Sequence, residues 1–229
     1  MYYILKNDDN PKIVGSDYPQ AWKFTKEYEK KCDDDNGIYS FYKRIHKNER
    51  PDFIPDLGGL VLSGRAKLTD IVSTSVLPRL QMNEVAKEIF SSCNLGDYEF
   101  YKAQLYLKKA KIFTQILDYF YLCPFTDIFD YIYFPETSFR MDKYSPERYQ
   151  LSIEGFRSYQ AYTDFITQNI DVISPTKITM NKGFDKTLDY FIIPNLNIYR
   201  GIASENLKAK IDEKRITGLK FEPIEIVFK

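Results

Sequence analysis

The chain has 229 residues, of which 44% are hydrophobic and 28% charged, enough for one large domain or two small ones around a full core. Lys plus Arg and Asp plus Glu both number 32, so the formal charge is zero, and the basic excess with which nucleic-acid binders neutralise phosphate is missing. Three cysteines, Cys32, Cys93 and Cys123, are odd in number and far apart, which fits free thiols in a reducing cytosol better than a disulfide framework.

No apolar run approaches the ~20 residues of a membrane span. The opening Met1-Tyr2-Tyr3-Ile4-Leu5 runs straight into Lys6-Asn7-Asp8-Asp9, unlike a signal peptide. A soluble, cytoplasmic protein is expected, with neither membrane nor nucleic acid as partner. The 19 tyrosines and 17 phenylalanines suit strands and cores, and exposed tyrosines suit contact surfaces.

In chain order, residues 2–6 read as a strand, 8–11 as a turn and 12–14 as its return. The apolar spacing Ala21, Phe24, Tyr28 predicts a helix over 19–31, with Trp22 off its face. Residues 38–45 alternate as a strand. The segment 50–59 holds two prolines and two glycines and reads as a loop. Residues 60–62 and 71–72 read as paired strands, 83–93 as a helix capped by Asn83, and 98–107 as a strand. A turn over 108–111 leads into 112–122, whose β-branched and aromatic content favours two or three strands. A strand over 128–134 ends at Pro135. The polar stretch 142–147 is the expected border between an amino-terminal lobe (1–141) and a carboxy-terminal lobe (148–229) of one two-lobed domain. Residues 149–153 read as a strand, 159–166 as helix or strand, and 170–180 as β-like despite Pro175.

The closing stretch is the most explicit. Ser204 is an N-cap for a helix over 204–213, followed by Glu205 at the positive end of the helix dipole. Leu207 and Ile211 share a face. Gly218 allows a left-handed turn into a strand carrying Leu219, Phe221, Ile224, Ile226 and Phe228, with Pro223 at a bulge or edge. At Gly218, substitution by Val is expected to strain the backbone more than substitution by Asn. A second version of this unit lies near residue 80, with Leu80, Val85, Ile89, Leu95, Tyr98 and Phe100 standing for Ile202, Leu207, Ile211, Ile216, Leu219 and Phe221, and Asn83-Glu84 standing for Ser204-Glu205. The expected fold is therefore α+β, mostly antiparallel sheet in two lobes, each with a capped helix packed on a small sheet.

Catalytic patterns are sparse. His46 is the single histidine, set among Arg44, Lys47 and Asn48 as in a surface loop. The cysteines lack the short paired spacing of a zinc site. Asp33-Asp34-Asp35-Asn36-Gly37 resembles a calcium loop only at its start, since the twelfth position counted from Asp33 is Arg44, where a glutamate is needed. Gly58-Gly59 and Gly64 are not followed by the Gly-Lys-Ser/Thr of a phosphate loop. Carboxylate pairs such as Asp127 and Asp130 are expected by chance among 32 acids. No catalytic residue, cofactor or metal is expected.

Asp189-Tyr190-Phe191, Ile193-Pro194, Ser204-Glu205-Asn206-Leu207 and Thr217-Gly218-Leu219-Lys220-Phe221-Glu222-Pro223 resemble a family of bacterial immunity proteins encoded beside polymorphic or secreted toxins. Leu77-Pro78-Arg79-Leu80, Tyr98-Glu99-Phe100-Tyr101, Asp130-Tyr131-Ile132 and Ser138-Phe139 extend the likeness patchily from about residue 50 to the end. Asn83 stands where the first lobe's serine is expected and caps equally well. The resemblance implies a protein that binds a cognate toxin and occludes its active site. Each residue that carries it has a structural job, so it names no binding residue and no particular toxin. The alternatives are an interaction or regulatory module unrelated to toxins and, further off, a hydrolase. Asp33, Asp34 and Asp35, the densest charge run, are the expected docking patch if the toxin's cleft is basic.

Overall fold

The computed structural model describes residues 1–77, 79–109, 112–142, 150–168, 172–196 and 198–229. The expected turn over 108–111, the border near 142–147 and the starts of the strands at 149 and 170 lie partly outside these residues.

Strand β1 spans Tyr2–Asn7 and is followed by a helical turn, α1 (Pro11–Val14), where a returning strand was expected. Asn10 accepts from the Lys12 amide and Pro11 occupies the first turn, where its missing N–H costs nothing. The predicted helix over 19–31 is instead β2 (Ala21–Phe24) and a single turn, α2 (Lys26–Glu29), capped by Thr25. Strand β2 pairs with β3 (Leu60–Leu62) with a register shift between Ala21 and Lys23. Trp22 falls in that shift and is turned outward. The strand expected at 38–45 is a helix, α3 (Ile38–His46): Ile38, Phe41 and Ile45 are its buried residues, a 3.6-residue period that alternation obscured.

Strand β4 (Ile71–Val72) pairs not with β3 but with β5 (Leu80–Met82). Helix α4 (Glu84–Ser91) begins at Asn83, whose side chain accepts from the Ala86 amide at 3.0 Å. Next come β6 (Tyr98–Lys109) and β7 (Ile112–Pro124), one long hairpin rather than several short strands. The segment 128–134 is not a strand. Asp127 Oδ1 takes the Phe129 amide and starts a 3-10 turn over Phe129–Tyr131, and a second turn follows over Phe134–Glu136.

The remaining elements are β8 (Ser138–Asp142), β9 (Gln150–Glu154), α5 (Tyr159–Gln168), β10 (Val172–Met180), β11 (Tyr190–Ile193), β12 (Ile198–Ser204), α6 (Glu205–Glu213) and β13 (Leu219–Phe228). Ser204 caps α6 through the Leu207 amide at 3.2 Å, and Leu207 is fully buried. Gly218 has φ 99°, in the left-handed region. Pro223 stands opposite Tyr3, ahead of the parallel ladder to β10 that begins at Glu225, so its missing N–H breaks no pairing on that side.

The fold is α+β with two mostly antiparallel sheets, and their topologies match. One runs β2-β3-β6-β7-β5-β4; the other runs β9-β8-β10-β13-β1-β12-β11. Read from β2 and from β8, every pair agrees in direction: antiparallel, parallel at β3–β6 and β10–β13, then antiparallel throughout. The slot of β7 is filled in the second sheet by β1, from the far end of the chain. The sheets change over between Pro124 and Ser138, ahead of the expected border, and β1 belongs with the carboxy-terminal strands.

The internal likeness survives with one correction. Leu80 and Ile202 belong to different core clusters, and Val85 is 51% exposed where Leu207 is buried. Setting Asn83 on Ser204 gives one constant offset of 121 positions that also matches Met82 with Ala203, Ala86 with Leu207, Phe90 with Ile211, Leu95 with Ile216, Tyr98 with Leu219 and Phe100 with Phe221. All of these apolar residues pack in a single cluster. Helices α4 and α6 therefore pack on each other as well as on their own sheets, and the two lobes share a core. The other face of the second sheet packs under α5, with Phe139, Tyr162 and Ile178 in that core; the other face of the first sheet packs under α3, with Phe41, Tyr101 and Tyr121.

Candidate functional site

The ladder between β1 and β12 ends at Ile4 and Ile202, although β1 continues to Asn7 along β13. Where the two strands part, a cleft of about 900 Å³ opens. Its walls are residues 4–7 of β1, the loop 74–77, Tyr18, and the side of α3 carrying Tyr39, Tyr42 and His46; Ile198 and Arg200 come from β12. Tyr39, Tyr42 and His46 share that side because they recur at helical spacing. His46 ends a helix rather than lying in a loop, and its ring stacks on Tyr42 with centroids 5.6 Å apart.

Arg200 is aimed by a bulge. The β11–β12 register shifts between Phe191 and Ile193, and Gly201 sits at φ 97° against the Tyr190 ring, 2.2 Å from where a Cβ would be. Only glycine fits there. The bulge sends the Arg200 guanidinium into the first lobe, where it donates to the Thr74 carbonyl at 2.7 Å and to the Arg79 carbonyl. Arg79 is buried in turn, and its Nη2 donates to the Ile45 carbonyl at 3.0 Å. That carbonyl lies at the carboxy end of α3, where a cation is favoured.

Burial lowers the Arg200 pKa; Tyr121, Tyr190 and Tyr18 act to raise it, and the neighbouring Arg79 to lower it. Burial also pushes the Tyr121 and Tyr190 phenols far up, so both are neutral at physiological pH. Among the described residues, no carboxylate is among the groups acting on Arg200. Asp9 lines the cleft but is held by Lys220, whose ammonium donates to it and lowers its pKa. Lys6 is paired with Glu222.

A second groove, about 1260 Å³, adjoins the cleft and shares Tyr18 and Ser75 with it. Trp22 lines it, with Lys23 Nζ 4.1 Å from the indole centroid. Tyr18, Trp22 and Tyr39 are 54%, 49% and 46% exposed, an aromatic rim along both depressions.

The acidic run falls elsewhere. Asp33, Asp34 and Asp35 are exposed in the turn that starts α3, where the Asp34 carbonyl accepts from the Gly37 amide and the Ser40 hydroxyl. Asp35 shares a shallow depression with Ser40, Lys43 and Lys47, the side of α3 that does not line the cleft. The motif residues Asn83, Ser204, Leu207, Gly218, Phe221 and Pro223 all serve caps, turn, core and pairing. Sequence reasoning missed Tyr18, Tyr39, Tyr42 and Arg200. The helical spacing within α3 and an arginine beside glycine inside an apolar strand were the available signals.

Among the described residues no group of three or more His, Cys, Asp or Glu side chains is placed to hold a metal ion, and no helix is long and apolar enough to cross a membrane. In comparison with known proteins, the chain matches no family model and no curated protein.

Proposed function

We propose that the protein is a bacterial immunity protein, which binds a cognate toxin and neutralises it by covering the toxin's active site. The observation that carries this reading is the exposed rim of Tyr18, Trp22 and Tyr39 over two adjoining grooves. Exposed aromatics and arginine beside depressions are what protein interfaces use as anchors. A specific interface buries about 1,600 Å² in total, a scale that two adjoining grooves suit better than a small-molecule pocket. The resemblance in the caps, turns and closing strand supplies the partner class.

A hydrolase would place free carboxylates or a poised histidine in the cleft. Among the described residues, the one carboxylate that lines it, Asp9, is tied to Lys220, and the His46 ring stacks on Tyr42. An interaction module unrelated to toxins could use the same surface, but it would not protect cells.

The test is co-expression with the product of the adjacent gene. Growth rescue and co-purification are expected with the wild type, and Trp22→Ala combined with Tyr39→Ala should weaken both without lowering the melting temperature. Failure of the wild type to bind or to rescue would overturn the reading.

A further inference from the structure

The floor of the cleft is a held cation with spare donors. A guanidinium carries five N–H groups in a rigid fork, and the two carbonyls of Thr74 and Arg79 take one bond at each of the Arg200 Nη atoms. Those bonds fix the fork in place, so little freedom is lost when something docks on it. Burial keeps the Tyr121 and Tyr190 phenols neutral, Arg79 adds positive charge, and Asp9, which lines the cleft, is engaged by Lys220.

A second feature lies in the wall. Tyr18 and Tyr39, 54% and 46% exposed, line the same cleft as Tyr42 and Arg200. Exposed aromatics around an arginine are anchors of protein interfaces. An inorganic anion would meet the donor fork alone. A carboxylate side chain carried by a protein partner would meet the fork and the rim together.

From this geometry we infer that Arg200 receives an Asp or Glu side chain of a protein partner, inserted past Tyr18, Tyr39 and Tyr42. This rests on the binding reading above and specifies the chemistry of its central anchor. The aromatic rim excludes water around the pair, which strengthens a charge-assisted bond.

Two measurements decide it. In the wild-type protein, the arginine Nε–Hε signals are followed by NMR during titration with N-acetylglutamate N-methylamide, its glutamine counterpart and inorganic phosphate. The Arg200 signal, assigned with Arg200→Lys, should shift saturably with the glutamate compound and much less with the other two. No shift at Arg200, equal shifts at all arginines, or a stronger response to phosphate would overturn the inference. In the complex with the adjacent gene product, Arg200→Lys should raise Kd tenfold or more. Unchanged affinity in the folded variant would also overturn it, while leaving the immunity reading intact. If the wild type binds no such product, that reading falls, and the NMR titration still decides what Arg200 receives.

Discussion

Asp70 and Asp189 make the same connection in opposite directions. The Asp70 carbonyl accepts from the amide of Asn83, the cap of α4, and its carboxylate accepts from the Asn83 side chain at 2.9 Å and from the Thr217 amide, beyond α6, at 2.8 Å. The Asp189 carbonyl accepts from the amide of Ser204, the cap of α6, and its carboxylate accepts from the Ser204 hydroxyl at 2.5 Å and from the Asn94 amide, beyond α4, at 3.0 Å. Each aspartate therefore fixes the start of its own lobe's helix to the end of the other's. The matched topology of the sheets is expressed here in single hydrogen bonds.

The first prediction is that Asp70→Ala and Asp189→Ala each cost about 1–3 kcal/mol, since each leaves a cap and a turn amide without their acceptor. Asp70 also carries a pH signature. Burial acts to raise its pKa, but the hydrogen bonds from Thr217 and Asn83 outweigh this and hold it below the ordinary 3.8. The unfolded state binds the proton more readily than the folded one, so this stabilisation is complete well above pH 3.8 and is lost as pH falls through the lower folded value. Chemical denaturation between pH 7 and pH 2 should show a smaller acid-induced loss in Asp70→Asn than in wild type; equal losses would remove Asp70 from the account.

Asn83, Ser204 and Gly218 were legible in the sequence because caps and glycine turns are set by residues a few positions away. The helix at 38–46 was not, because Ile38 to Ile45 satisfies alternation as well as helical period, and only burial of Ile38, Phe41 and Ile45 decides between them. The slot of β1 was invisible for another reason. Its partners Ile202 and Phe221 lie some two hundred positions away, and no local pattern encodes such a pairing. Arg200 was missed because its role depends on a bulge and on carbonyls of the other lobe.

The second prediction concerns Gly218. A Cβ there would lie 1.9 Å from the Ile71 carbonyl oxygen, a backbone atom that cannot move aside. Asn tolerates positive φ but still carries a Cβ, so the milder effect expected from the sequence does not hold. Gly218→Ala, Gly218→Asn and Gly218→Val should all cost about 3 kcal/mol or more. Urea unfolding checks this, and a near-neutral Gly218→Asn would show that the turn relaxes.

The third prediction tests the shared core. Phe90 is fully buried on α4 and meets Tyr190, on β11 of the other sheet, edge to face at 5.4 Å. Phe90→Ala should cost about 3–5 kcal/mol. Because the cavity lies between the lobes, the transition should stay single and shift as a whole. Two separate transitions would mean that the lobes fold independently.

The fourth prediction concerns Asp33, Asp34 and Asp35, exposed at the start of α3 on the side away from the cleft. If a basic partner surface docks there, replacing all three with Asn should lower the association rate several-fold at low salt and leave it unchanged at high salt. Folding stability should fall by less than about 1 kcal/mol, from the lost attraction to the helix amino terminus. Stopped-flow association at two salt concentrations separates this from a solvated turn, which predicts equal rates.

The last prediction follows from β1 standing where β7 stands. In the first sheet the equivalent strands β6 and β7 are consecutive; in the second, β13 and β1 pair antiparallel from Tyr2 opposite Ile224 to Asn7 opposite Leu219, yet lie at opposite ends of the chain. A permutant that joins Lys229 to Met1 and opens the chain between Asp9 and Asn10 would restore the order of the first sheet. Strand β13 runs four residues past Ile224 to Phe228, about 13 Å at the usual rise per residue, so a flexible linker of roughly six to eight residues spans the return. The permutant should fold to the same structure, because no pairing changes. It should also fold faster, since the contacts of β1 with β13 become local and their loop-closure entropy falls. Deleting residues 1–7 should instead abolish cooperative folding, because β12 and β13 both lose the strand between them. A permutant that fails to fold, or a deletion that leaves the unfolding transition intact, would show that β1 is not the second repeat's counterpart of β7.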